Sequence, residues 1–108
     1  MNLTKKEMEV MQVLWNRKAP MTASEIIEAS VERTWSEQSL YAMLNRMVDK
    51  KAISLDRYKP TATNSAKAYI PLISLEEYLV KKTFEYDVDA DKLIQIIIEK
   101  EAKKKEDQ

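Results

Sequence analysis

Gln38, Asn45 and Arg46 carry side chains able to read the edges of another molecule. An amide presents a donor and an acceptor together, which suits an adenine edge, and a guanidinium suits guanine or a phosphate. At ~100° per residue, Gln38, Ala42, Asn45 and Asp49 share one side of a helical wheel, with Arg46 on its shoulder. The methyl side chain of Ala42 lets such a helix approach a surface closely. The bland reading of the same face is a solvated helix surface, and spacing alone does not choose between them.

Other chemistries find little support. The chain has 108 residues with no Cys and no His, which excludes disulfides, thiolate or imidazole metal sites, cysteine nucleophiles and histidine bases. Asp87, Asp89 and Asp91 alternate like the start of a calcium loop. No Gly follows at the turn position, however, and Val88 and Ala90 lead into a helical pattern, so N-capping is the expected role. No metal, no cofactor and no enzymatic activity are expected. Trp15 and Trp35 read as core.

Apolar residues make up 44% of the chain and charged residues 33%, a globular composition. No apolar run approaches the ~20 residues of a membrane span, and no signal pattern opens the chain, so the expectation is a cytoplasmic protein without membrane insertion. The net charge is +0 but uneven. Residues 31–72 hold seven basic side chains (Arg33, Arg46, Lys50, Lys51, Arg57, Lys59, Lys67) against four acidic ones (Glu32, Glu37, Asp49, Asp56), giving +3, and residues 73–108 hold seven against ten, giving −3. Phosphate contacts need local charge, which the middle of the chain has.

The elements that must position these residues announce themselves by their starts. Thr4-Lys5-Lys6-Glu7 is a capping box, with Leu3 and Met8 as a hydrophobic staple. It opens a helix expected to run from residue 5 to about 16 and to bury Met8, Met11, Leu14 and Trp15. Pro20 prevents its continuation. Thr22-Ala23-Ser24-Glu25 repeats the device and predicts a short helix to about residue 31, with Ile26 and Ile27 inward. Ser36 caps a third helix, preceded by Trp35, which can pack on Leu40. Its Leu40, Met43, Leu44, Met47 and Val48 form an i, i+3, i+4, i+7, i+8 stripe.

Residues 53–58 then alternate with a strand period, residues 59–66 are rich in turn formers, and residues 67–73 are extended again up to Pro71. This predicts a β-hairpin after three helices. Ser74-Leu75-Glu76-Glu77 is a third capping box, predicting a helix to about residue 85, and a last helix is expected from about residue 90. The charged tail after Ala102 is expected to fray. Glycine is absent, so Asn16 and Asn64 are the expected substitutes where positive φ is needed.

Several phrases, MNLTKKEMEVMQVLW, MTASEII, TWSEQSLYAMLNRMVDKKAI and YIPLISLEEY, resemble the penicillinase-repressor (BlaI/MecI) family of winged-helix regulators. The resemblance runs from Leu3 to about Tyr78. It implies a homodimer that binds a palindromic double-stranded DNA operator through the third helix and the hairpin wing. It also implies relief of repression through a membrane sensor-protease pathway or a metal. On the matching positions, the operator contacts would be Gln38, Ser39, Tyr41, Ala42 and Arg46. Lys51 stands where the family generally has Gly. The wing lacks the usual Gly-Arg, and the cysteine-rich tail of copper-responsive members is missing.

The expected fold is thus mainly α with a small β-hairpin: a winged helix-turn-helix over residues 1–73, followed by a C-terminal helical dimerisation arm over 74–108. The expected DNA contacts are Ser36, Gln38, Ser39, Tyr41, Ala42, Asn45 and Arg46 on the third helix, and Arg57, Lys59, Thr61 and Lys67 on the wing. The expected dimer contacts are Tyr78, Leu79, Leu93, Ile94, Ile97 and Ile98, since an isoleucine band at 93–98 is too apolar for a free surface. The rival reading is a winged-helix protein-interaction module without specific DNA binding.

Overall fold

Each of the three N-terminal helices begins on a side-chain oxygen. The computed structural model describes residues 1–107 and places α1 at Lys5–Arg17, α2 at Ala23–Ala29 and α3 at Glu37–Asp49. Thr4 Oγ1 accepts from the Glu7 amide at 3.1 Å, and Glu7 Oε1 accepts from the Thr4 amide at 2.9 Å. Thr22 and Glu25 repeat the exchange at 3.2 and 2.9 Å. Ser36 Oγ accepts from the Ser39 amide at 3.1 Å. These bonds satisfy amide donors that a helix start otherwise leaves open.

The stripe of α3 is the centre of the core. Leu40, Met43, Leu44 and Met47 are buried together with Val10, Met11, Leu14, Ile26 and Trp35. Each such burial contributes ~1.5–3 kcal/mol relative to exposure. Val48 lies at the edge of the stripe and stays 38% exposed. In α1, Met8 and Trp15 are only half-buried, and Glu7 and Val10 occupy the deep positions expected for them. Trp15 keeps its indole at the rim because Nε1 donates to the Ile73 carbonyl at 2.8 Å. Helix α2 ends at Ala29 and not near residue 31: Ser30 turns out of helical geometry, its hydroxyl donating to the Ile26 carbonyl at 2.6 Å.

The hairpin is longer than the period-2 reading suggested. Strands β2 (Ile53–Pro60) and β3 (Ser65–Pro71) pair antiparallel from Ile53↔Pro71 out to Pro60↔Ser65. A bulge between Leu55 and Arg57 interrupts the alternation. At the tip, the Thr61 amide donates to the Asn64 carbonyl at 2.8 Å and Thr61 Oγ1 accepts from the Asn64 amide at 3.0 Å. A further strand, β1 (Met21–Thr22), pairs with β3 through Met21↔Tyr69 and Thr22↔Ala68, giving the sheet order β1-β3-β2. Two residues are too few to show a period, so β1 was not legible.

Neither asparagine takes the positive-φ positions. Lys18, at φ 56°, closes α1, and Lys51, at φ 62°, follows α3. The Lys51 amide donates to the Val48 carbonyl at 2.9 Å and the Ala52 amide to the Met47 carbonyl at 3.0 Å, the pair of bonds that defines a Schellman ending.

The chain divides into two compact units, Met1–Leu75 and the segment from Glu76 onward. The second contains α5 (Ala90–Glu106) and nearly all of α4 (Leu75–Thr83). Helix α4 stops short of residue 85, with the Thr83 hydroxyl donating to the Leu79 carbonyl at 2.8 Å. Asp89 Oδ1 caps α5 by accepting from the Lys92 amide at 3.1 Å. The tail expected to fray is helical through Glu106, and Lys103, Lys104 and Lys105 sit in its last turn, where the helix dipole favours cations. Among the described residues no helix is long and apolar enough to cross a membrane.

Candidate nucleic-acid interface

The buried stripe of α3 forces its opposite side outward. Gln38, Ala42, Asn45, Arg46 and Asp49 are exposed, and Tyr41 is 58% exposed. Ser36 and Ser39 are partly committed to the helix start: Ser36 Oγ is the cap, and the Ser39 hydroxyl donates to the Ser36 carbonyl at 2.9 Å. The first turn is further held by Arg33, which lies 3.6 Å from Glu37 and stacks over the Trp35 ring at 5.4 Å from its centroid.

The wing meets this face. Tyr41 and Asn45 of α3 line one side of an open cleft of about 410 Å³, and Ser65, Ala66 and Lys67 of β3 line another, with Ser24 of α2 at its edge. An amide, a phenol, two hydroxyls and an ammonium therefore converge on one surface. The cleft is open and mixes these polar groups with the apolar surface of Ala23, Leu44 and Tyr69.

The sequence model of the penicillinase repressor family matches residues 3–107. The chain belongs to that family. No curated protein matches it. Penicillinase repressors are DNA-binding transcriptional regulators and not enzymes. The match continues past Tyr78, where the resembling phrases end, through α5.

For this repressor, the count of cations overstates the free charge. Of the seven basic residues in 31–72, four are paired. Arg33 meets Glu37, Lys50 meets Glu7 at 2.5 Å, Arg57 meets Asp56 at 2.6 Å, and Lys59 meets Glu25 at 3.0 Å. Arg46, Lys51 and Lys67 have no carboxylate partner among the described residues. Lys59, expected beside phosphates, instead points its ammonium at Glu25 and at the Pro20 carbonyl, 2.7 Å away. Backbone bonding from Thr22, followed by the Lys59 hydrogen bond, holds the Glu25 carboxyl below its ordinary range. Thr61 is exposed but binds its own turn.

Ser24 and Ser65 escaped the sequence reading. Ser24 sits inside a capping box without belonging to the reciprocal pair, and only the fold shows that its side of α2 faces the wing.

In the second unit, Leu79, Val80, Phe84, Leu93, Ile94 and Ile97 line an apolar groove of about 450 Å³ between α4 and α5. Leu79, Ile94, Ile97 and Ile98 are each more than half exposed, Leu93 is half-buried, and Tyr78 is buried within the single chain.

Proposed function

We propose that this chain represses transcription as a homodimer on a palindromic operator, with α3 in the major groove and the wing lying against the flanking backbone. The cleft shared by Tyr41, Asn45 and Lys67 carries the reading, because it joins base-reading and phosphate-holding groups on one face. The dimer is supported by the uncovered groove of α4 and α5, an apolar surface that association would bury. A winged-helix domain over residues 1–73 and an arm over 74–108 would then divide the work into DNA binding and association. Two copies of α3 about 34 Å apart would meet successive major-groove faces. Such a protein works in the cytoplasm, where its operator lies, and the proposal includes a membrane sensor-protease pathway as the source of the inducing signal.

Selection of bound fragments from a random DNA pool tests the proposal. The expected result is an enriched inverted repeat with half-site centres about one helical turn apart. No enrichment at low salt would instead assign the chain to protein interaction without specific DNA binding.

A further inference from the structure

Lys59 lies one residue before the end of β2, close to the wing tip, and pairs across the ladder with Ala66. Its ammonium is nonetheless engaged on the far side of the sheet. It donates to the Pro20 carbonyl at 2.7 Å and to both Glu25 carboxylate oxygens at 3.0 and 3.4 Å. Because β3 lies between β1 and β2, the side chain must span β3 to reach there, and the β3 residues at this level, Ala66 and Ala68, have only methyl groups. Glu25 is the hub. It also accepts from the Thr22 amide at 2.9 Å and stands 3.9 Å from Arg17 at the end of α1.

The backbone pairing that joins the wing to the helices is short. The β1–β3 ladder covers only Met21↔Tyr69 and Thr22↔Ala68, and the hairpin continues outward from it to Pro60↔Ser65. Lys67, which lines the cleft together with Asn45, lies in that outer part. The Lys59–Glu25 bond is a side-chain tie between the outer wing and the start of α2.

We propose that Lys59 is a positioning residue: it clamps the wing to α2, fixes the distance between Lys67 and the face of α3, and makes no phosphate contact of its own. A cation already shared by a carboxylate and a carbonyl would have to abandon both to neutralise a phosphate, leaving Glu25 as an unpaired negative charge beside DNA. The proposal rests on the reading that α3 and the wing hold DNA together.

The test measures binding of the full chain and its variants to the duplex captured from the random pool, across a series of salt concentrations. Glu25→Gln retains the capping box, which Gln can complete, and removes the charge. Lys59→Met and Glu25→Gln are each expected to weaken binding by the same factor, roughly tenfold for one charged hydrogen bond, with the salt slope unchanged. The double variant loses less than the sum of the two singles, since the Lys59–Glu25 interaction is shared between them. Lys59→Arg restores binding. Lys67→Met, by contrast, flattens the salt slope by about one unit. A slope reduced by about one unit in Lys59→Met, with Glu25→Gln binding normally, overturns the proposal in favour of a phosphate contact, and so does Lys59→Met binding like the unmodified chain.

Amide hydrogen exchange of the same proteins without DNA separates this proposal from the reading beneath it. Faster exchange across 57–68 in both Lys59→Met and Glu25→Gln, with α1 unchanged, supports the clamp even where the pool selection enriches nothing. Unaltered exchange in both overturns it.

Discussion

The Lys50 ammonium donates a 2.5 Å hydrogen bond to the wholly buried Glu7 carboxylate, tying the end of α3 to the first turn of α1. Lys50 also donates to the Asn2 carbonyl at 2.7 Å, so the N-terminal segment joins the same knot. The orientation of α3 within the bundle is held by this pair as well as by its apolar stripe. Glu7→Gln keeps the capping box but removes the charge. Its amide NH₂ would occupy the place of Oε2, which has no hydrogen-bond partner. The expected loss is ~1.5–3 kcal/mol of folding stability, read as a lower urea midpoint at neutral pH.

The same pair sets an acid limit. Burial pushes the Glu7 carboxyl up, but Lys50 and Thr4 together outweigh it and hold the group below its ordinary value of 4.5. Glu25 and Glu9 are lowered too, Glu25 first by the Thr22 amide and Glu9 first by the Thr34 hydroxyl. A carboxyl with a depressed folded pKa binds fewer protons than its unfolded counterpart. Its contribution is therefore complete above about 4.5 and is lost as pH falls through the folded value. Urea midpoints should be flat from pH 7 down to about 5 and then fall. The Glu7→Gln chain should show a shallower fall, and an identical pH profile would remove Glu7 from the linkage.

Arg46→Ala and Asn45→Ala should each weaken binding to the selected duplex by ~1–3 kcal/mol while leaving the thermal midpoint near that of the parent. Both side chains are exposed and neither supports the core. Unchanged affinity for both variants would detach α3 from recognition.

Charge placed in the α4–α5 groove should separate the subunits. Ile97 is 56% exposed and lines that groove, so Ile97→Glu costs the isolated chain little and costs an apolar interface much. Light scattering should report a dimer mass for the parent, as proposed, and a monomer mass for the variant at the same concentration. A dimer that persists moves the interface elsewhere.

Lys51→Gly should stabilise the chain by ~0.5–1 kcal/mol, because it relieves a Cβ from a left-handed position at φ 62°. The gain is smaller than the full left-handed penalty because glycine also loosens the unfolded chain. A lowered thermal midpoint would mean that the Lys51 side chain contributes contacts outweighing its strain.

What the sequence discloses and what it conceals divide along chain distance. The Thr4–Glu7 and Thr22–Glu25 boxes act over three residues, and their letters alone locate α1 and α2. The α3 stripe repeats within one helix, so four of its five members are buried as the spacing predicts. By contrast, Lys59 and Glu25 are 34 residues apart, and no local pattern records that one occupies the other. Composition made the wing look more basic than it is for the same reason. The positive φ at Lys51 was missed because the helix ending chose the conformation and the residue merely tolerates it. Ser24 and Ser65 join the cleft only when α2 and β3 are folded side by side.

The internal pairing of Arg57 and Lys59 has a consequence for how the repressor finds its target. Attraction to arbitrary DNA comes almost wholly from cations that displace counterions, and of the seven cations in the 31–72 segment Arg46, Lys51 and Lys67 are without a carboxylate among the described residues. On the proposed interface, random genomic sequence is expected to hold the protein weakly, so that occupancy of the operator would follow the match of base edges against α3.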